Sequence, residues 1–514
     1  MSMSGRDGRR AGLGAITGVL AAATALGVGQ FVAGLTGASG SPVVAVGELQ
    51  IDFTPTWLKN FAISTFGPDD KTVLIGGIVV VLAAFAALIG VAATRRLAYG
   101  MAGLAVFAAV GLTAAATRPN ATVASLLPTL AATAAAAAVL AALIPLTGPP
   151  VSYGGTQLPG PRRRSFLAAS AATAGVAAAG GLAGRVLAEQ SSVTRAQQAV
   201  RIPRPVITTQ ALPPGTDLDI PGLTPFITPN ARFYRVDTAL VLPQVDPSSW
   251  RLRIHGMVER EIDLTFAELL KRPLIEDYIT LCCVSEPVGG PYIGNAKWLG
   301  ASLAALLREA GIKAGADQLM CTSADGFTSG TPVQVVMDGR DALLAVAMNG
   351  QPLPVAHGFP ARMVTPGLYG YVSATKWVTD INVTTFAGNY AYWAQRGWSQ
   401  QAPIKTECRI DVPTGMNDMN PGQITVAGVA WAQHKGIEAV EVRVDNGPWH
   451  EARLAAVPGL DTWRQWAWDW DAASGGHVLH ARATDKTGYT QTATMAPPEP
   501  NGATGYPQVS VPVR

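Results

Sequence analysis

The chain has 514 residues, enough for several domains, and is 48% hydrophobic with only 14% charged residues, more apolar than an ordinary soluble enzyme. Its net charge is only +3, and no run of Lys or Arg is interleaved with aromatics, which argues against a nucleic-acid partner. The average conceals two halves: Ala, Leu, Val and Gly dominate from Ala11 to Ala188, and charged residues, Trp, Pro and turn signals return beyond it.

A membrane-crossing helix needs about 20 consecutive apolar residues, because hydrocarbon leaves backbone polar groups no partner outside the segment. Five stretches reach that length: Ala11 to Leu35, Val73 to Ala93, Leu97 to Thr117, Ala121 to Leu146 (interrupted by Pro128) and Phe166 to Ala188. Residues 1–188 therefore read as an N-terminal transmembrane helix bundle of about five spans in contact with membrane lipid. Buried helices of a large soluble protein are the alternative, and they rarely lack charge over such lengths.

Positive residues in short flanks stay on the cytoplasmic side. With the N-terminus inside, the inner flanks carry Arg6, Arg9, Arg10, Arg95, Arg96, Arg162, Arg163 and Arg164, against Lys59, Lys71 and Arg118 outside. Eight against three predicts a multi-pass cell-membrane protein with a cytoplasmic N-terminus, and an odd number of spans puts the remainder outside the cytoplasm. The run Arg163-Arg164-Ser165-Phe166-Leu167 resembles the twin-arginine signal for export of folded proteins, or serves simply as a positive anchor. All six His lie at position 255 or later, so the spans offer no paired axial imidazoles for a membrane haem. Nor do they place Asp, Glu or Arg as an ion pathway would need.

Residues 189–229, rich in Pro and polar side chains, read as an extended extracytoplasmic linker. From about Thr228 to Phe386 strand and helix signals mix. Trp250 to Gly256 alternates like a strand, Thr265 to Glu268 forms a capping box, Ile279 to Val284 is an apolar strand before a glycine-rich loop, and Ser302 to Ala310 is an amphipathic helix stopped by Gly311. The mixture predicts an α+β domain. Residues 402–514 turn to short alternating strands, Gln423 to Trp431, Ala439 to Val444, Trp463 to Trp470 and His477 to Asp485, with a hairpin signal at Asp445-Asn446-Gly447. That spacing predicts an immunoglobulin-like β-sandwich.

Four Cys, at 282, 283, 321 and 408, show neither zinc spacing nor a disulfide framework. Cys321 and Cys408 read as buried small apolar residues. Cys282 and Cys283 end a strand, where neighbouring side chains point to opposite faces, so one can face the core and the other a site.

Ile279-Thr-Leu-Cys-Cys-Val-Ser285, followed by Gly294-Asn-Ala-Lys-Trp298, resembles the cysteine motif of the sulfite oxidase family of molybdopterin oxidoreductases. His357-Gly-Phe-Pro-Ala-Arg362 with Ser373-Ala-Thr-Lys376 resembles its pterin-binding stretch, and Asn230-Ala-Arg-Phe-Tyr-Arg235 its leading segment. The resemblance spans residues 228–514 and implies a molybdopterin-binding domain over 230–395 and an immunoglobulin-like dimerisation domain over 402–514, hence a possible homodimer. The bundle looks like that of membrane-anchored actinobacterial members.

The resemblance implies a molybdenum–molybdopterin cofactor and no haem in this chain. Cys283 is the implied metal ligand, a soft thiolate suited to a metal that changes oxidation state, with Cys282 facing the core. Phe233, Tyr234, Asp325, His357, Arg362, Ser373 and Lys376 are the implied cofactor-binding residues, the cations among them meeting the pterin phosphate. Arg235 matches an arginine beside the metal, where it would hold an oxyanion such as sulfite; a structural ion pair with Asp237 remains open. Tyr392 is the implied aromatic hydroxyl of the catalytic group. Two departures stand out: the haem domain of animal sulfite oxidases is not visible, and Ser285 stands where periplasmic methionine-sulfoxide reductases carry an acidic residue.

The expected function is oxygen-atom transfer to or from a small oxyanion or oxo substrate such as sulfite, with electrons exchanged with a separate partner. Reduction of sulfoxides is the alternative within the enzyme class. A surface binding module with a degenerate cofactor domain is the alternative outside it.

Overall fold

The computed structural model describes residues 3–36, 42–54, 70–118, 121–147, 152–153, 156–157, 163–189, 192–415 and 418–514. The predicted flanking residues Lys59 and Arg162 lie outside the described set. The chain forms two compact units, 1–195 with 239–244, and 196–238 with 245–514.

The first unit is helical: α1 (Met3–Thr36), α2 (Pro42–Phe53), α3 (Asp70–Arg95), α4 (Leu97–Ala116), α5 (Val123–Leu143) and α6 (Arg163–Glu189). Five of its helical stretches, Gly8–Thr36, Val73–Arg95, Leu97–Ala116, Val123–Thr147 and Arg164–Leu187, are long and apolar enough to cross a membrane. They fall on the five predicted stretches, and the 12-residue α2, too short to span, is an addition. Helix α1 packs against α3, α5 and α6. Glycine permits this: a Cβ on Gly18 would stand 1.9 Å from the Ala86 carbonyl oxygen, and one on Gly27 2.2 Å from that of Ala177. Such backbone approach is how helices associate where apolar burial alone gives no preference. Val80, Leu88, Val106 and Leu182 are meanwhile exposed by 63 to 69%.

The strands of the second unit begin with β1 (Arg251–Gly256), β2 (Ile262–Thr265), β3 (Leu274–Cys282), β4 (Ile293–Ser302), β5 (Gln318–Ser323), β6 (Thr328–Pro332), β7 (Leu343–Met348), β8 (Gln351–Pro352), β9 (Arg362–Val364) and β10 (Val378–Thr384). They form two five-stranded sheets, one ordered β8-β7-β4-β3 with β9 also on β7, the other β2-β1-β10-β5-β6, in which only β1 and β10 run parallel. Leu252, Ile254, Leu299, Leu319, Leu344 and Ile381, all 0 to 6% exposed, fill one core shared by both sheets. The predicted α+β character is observed. Thr265 caps its short helix as expected, its hydroxyl accepting from Glu268 N at 3.2 Å while Glu268 Oε2 accepts from Thr265 N at 2.8 Å. The helix after Ser302 ends at Gly311 in the left-handed conformation, φ 72°.

Eight further strands, β11 (Glu407–Val412) to β18 (Gln508–Val513), make two four-stranded antiparallel sheets whose facing residues, among them Val426, Val440, Trp466 and Ala481, share a second core. Four of them are the predicted strands to within two residues, now Gly422–Trp431, Ile437–Val444, Arg464–Ala472 and Gly475–Asp485.

One expectation changes. Residues 196–229 lack helix or strand beyond the short helix ending at Ala199, but they are not a free tether: Val206 N bonds Leu274 O at 2.9 Å, and Phe226 is 1% exposed. The α+β part and the C-terminal sheets also bond to each other directly. Trp463, fully buried, donates from Nε1 to Phe226 O at 2.9 Å and from its backbone N to Thr280 Oγ1 at 2.8 Å, while Thr280 N donates to Asp461 O at 2.9 Å and Gln433 Nε2 to Thr280 O at 3.1 Å. Trp463→Ala leaves a large cavity at this seam, so it should lower unfolding stability by about 3 to 5 kcal/mol in denaturant titration. A loss below about 1 kcal/mol would show the seam to be dispensable.

Candidate active site

Strand β3 carries the cysteine pair to its end. Cys282, paired in register with Ile293, is fully buried among Val284, Ile293, Tyr369 and Val372, and Cys283, one residue on, is partly exposed. This is the alternation that strand geometry dictates. Cys283 N donates to Tyr292 O at 2.9 Å, and Glu286 N donates to Cys283 O at 3.1 Å, closing a turn with Val284 and Ser285 at its centre. That turn brings the Ser285 hydroxyl to 2.9 Å from Cys283 Sγ. Burial pushes the Cys283 thiol up, and the Ser285 hydrogen bond opposes the shift. Cys321 and Cys408 are buried, and each thiol donates to an oxygen acceptor, Leu319 O at 3.5 Å and Gln491 Oε1 at 3.2 Å.

The residues of the Gly294 to Trp298 run each have a local task. A Cβ on Gly294 would lie 2.9 Å from the Phe233 ring, so glycine makes room for that ring. Asn295, fully buried, accepts from Thr280 Oγ1 at 3.0 Å, donates to Phe226 O at 2.9 Å and receives Thr228 N on its own carbonyl at 2.8 Å. It thereby stitches the leading segment to β4. Phe233 then packs edge-on to Trp298 and His357, at 5.7 and 5.6 Å, and stacks on Tyr234 at 5.3 Å.

Three cations gather on this frame. Among the described residues Arg362, 5% exposed, bonds carbonyl oxygens only, those of His357 (3.1 Å), Ala374 (3.2 Å) and Met363 (3.4 Å), with Trp298 under its guanidinium at 5.1 Å. Lys376 Nζ and Arg235 Nε both bond Asp237 Oδ2, at 2.7 and 2.8 Å. Of the two readings of Arg235, the ion pair with Asp237 is present, and Lys376 shares that carboxylate. Burial pulls Lys376 down to about 8 even though Asp237 opposes the shift, and burial pulls Arg362 down to about 10. Tyr234 is held well above its ordinary value by burial and then by Cys283 and Cys282, with Arg362 acting against them.

The other predicted residues sit as follows. Asp325 occupies the β5–β6 turn, where its carboxylate accepts from Phe327 N at 3.1 Å; Ala324 N donates to Trp377 O at 2.8 Å, tying that turn to the residue after Lys376. Ser373 is fully buried with its hydroxyl given to Leu368 O at 2.9 Å, so it supports the backbone behind the cluster. Tyr392 lies against Phe327 and Trp393, at 5.7 and 5.2 Å, beneath Arg396 at 3.6 Å, and is not among the residues gathered around Arg362. Sequence reasoning gave no part to Asn349, whose φ of 52° aims its side chain at Asn230 Oδ1 (2.8 Å), Thr228 O and Lys297 N; the Asn349-Gly350 turn dipeptide was the available signal. Nor did it find Glu286, pushed up to about 7 by burial, because nothing in a lone Glu signals that its carboxylate closes a loop on Tyr292 N.

His357 bonds Asn230 O at 3.2 Å, and burial, then Arg362, depress it to about 4. An unfolded His takes its proton near 6.5, so between about pH 6.5 and pH 4 the unfolded chain binds the extra proton and stability falls as the pH drops. His357→Gln should flatten that slope, which amounts to roughly 3 kcal/mol, in unfolding titrations at pH 7 and pH 4.5. A slope that survives the substitution refutes the assignment.

The sequence profile of the family described as "Oxidoreductase molybdopterin binding domain" matches residues 239–393, which include Cys283, His357, Arg362 and Lys376. The chain is 31% identical to sulfite oxidase of Gallus gallus over 290 residues, 47% of this chain and 62% of that protein, and 28% identical to mitochondrial sulfite oxidase of Homo sapiens over 326 residues, 53% and 58%. It thus spans less than two thirds of the length of these relatives. An uncharacterized oxidoreductase of Bacillus subtilis, YuiH, is 31% identical over 153 residues, 30% of this chain and 74% of that protein. Among solved structures, the sulfane dehydrogenase SoxCD from Paracoccus pantotrophus is similar at 26% identity and a TM-score of 0.47, covering 52% of this chain and 75% of that one. The family profile and the sequence relatives agree: the chain belongs to the sulfite oxidase family of molybdopterin oxidoreductases and uses a molybdenum–molybdopterin cofactor.

Proposed function

We propose that this enzyme is anchored in the cell membrane by five spans, with its catalytic part outside the cytoplasm, and that it transfers an oxygen atom to or from a small oxo substrate such as sulfite. The observation that carries the site reading is Arg362, a guanidinium 5% exposed with no carboxylate partner among the described residues. A buried cation without a counter-ion is costly, and the cost vanishes when an anion binds. The residues present fit the cofactor: a partly exposed thiol for the metal and, close behind it, cations for a phosphate.

In this reading Cys283 is the metal ligand. Arg362 and Lys376 neutralise the pterin phosphate; His357, neutral above about pH 4, donates or accepts a hydrogen bond without adding charge. Phe233, Tyr234 and Asp325 line the cofactor, and Ser373 holds the α-turn at Gly370–Ser373 that backs it. Arg235 is 38% exposed beyond its Asp237 bond, so it orients an incoming oxyanion while Asp237 keeps it extended. Tyr392, outside the cluster, borders the substrate side. When bound, the molybdenum–molybdopterin group supplies two-electron oxygen-atom transfer. Electrons pass to or from a separate partner protein.

The domain assignment is 1–188 for the transmembrane region, 189–229 for the connection, 230–395 for the cofactor domain and 402–514 for an immunoglobulin-like sandwich that pairs two copies. Two antiparallel sheets with one shared core support the last, and outward apolar residues such as Val80 and Leu182 support the first. The Arg163-Arg164 run suits export of the folded, cofactor-loaded part.

Metal analysis of the purified chain should give one molybdenum per chain. A screen of sulfite with a dye acceptor, and of sulfoxides with a dye donor, assigns substrate and direction. Cys283→Ala should lose the metal and reduce turnover by about a hundredfold or more; full activity in that variant refutes the ligand assignment. A reporter active only outside the cytoplasm should work when fused after Val200 and fail after Arg96, and the reverse pattern overturns the orientation.

A further inference from the structure

Ser285 is the side chain that the cysteine turn aims at its own first residue. Its hydroxyl lies 2.9 Å from Cys283 Sγ, and no other hydrogen-bond partner of that hydroxyl is present among the described residues. Two backbone bonds fix the turn, Glu286 N to Cys283 O at 3.1 Å and Cys283 N to Tyr292 O at 2.9 Å, and a third, Gly290 N to Pro287 O at 2.9 Å, holds the segment that follows. Glu286, 2% exposed, adds a carboxylate bond to Tyr292 N. The turn that carries Ser285 is therefore held by bonds that do not involve the thiol.

In the free thiol either oxygen or sulfur can donate. Once the sulfur is a metal-bound thiolate it carries no proton, and the direction is settled: Ser285 Oγ–H donates to sulfur. A hydrogen bond to a coordinated thiolate draws electron density from it, weakens its donation to the metal and makes the metal easier to reduce.

The geometry points to Ser285 as a positioning residue that sets the reduction potential of the molybdenum through a hydrogen bond to Cys283, an inference that rests on Cys283 being the metal ligand. An acidic side chain at this place would repel the thiolate when ionised, so the choice of Ser fixes the potential higher than an acid would.

The test uses the full cofactor-loaded chain, with Ser285→Ala, Ser285→Thr and Cys283→Ala compared by metal content and by a potentiometric titration of the molybdenum paramagnetic signal. Ser285→Ala should keep wild-type molybdenum content and shift the midpoint potential to a more negative value, and Ser285→Thr should restore it. An unchanged potential in Ser285→Ala at full metal content overturns the proposal, as does loss of metal from that variant, which makes the hydroxyl merely structural. Cys283→Ala is the separate control: retention of its metal and signal removes the ligand reading itself, whereas loss of both alongside an unshifted Ser285→Ala removes only the role of Ser285.

Discussion

A guanidinium placed among apolar residues must be held by dipoles or by an opposite charge, and much of the cofactor half answers that demand at Arg362. Its nitrogens spread over three backbone carbonyls contributed by three separate places in the chain, at 357, 363 and 374. Presenting those carbonyls requires Gly358 at φ 109°, a position where a Cβ would strike both Arg362 and Lys376. Trp298 provides the face beneath the charge, and its indole nitrogen is tied to Ile279 O at 3.0 Å, on the strand that ends in the cysteines. The cation, at the start of β9, and the thiol, just past the end of β3, are thus carried by strands of the same sheet.

The neighbouring charges follow a different rule. Asp237 takes both Lys376 and Arg235, which keeps two long side chains from folding away without cancelling the excess positive charge. A site arranged in this way attracts anions while each of its arms remains fixed. Preorganisation is here electrostatic and is carried by a residue that touches neither end of the chemistry.

How much of this the sequence discloses varies with range. The five long apolar stretches, the Thr265 capping box, the Gly311 stop and the alternating C-terminal strands are local patterns, and each is legible because the cause lies within one turn or one strand. The cysteine pair was legible for the same reason: period-two alternation separates Cys282 from Cys283. What the sequence hides is set by contacts between distant positions. Nothing near Ser373 indicates that its hydroxyl is spent on Leu368 O, and nothing near Pro213-Pro214 indicates that the stretch ending at Phe226 is locked under a tryptophan 237 residues away. Nor does anything near Tyr392 in the sequence indicate that its ring lies beneath Arg396 and against Phe327.

The Trp463 seam has a bearing on cooperativity. The carbonyl of Phe226, in the leading segment, and the hydroxyl of Thr280, in the cysteine strand, both bond a residue that follows Thr280 by 183 positions. Loosening the C-terminal sheets takes hydrogen bonds from the cysteine strand itself, so the two parts are expected to unfold in one transition.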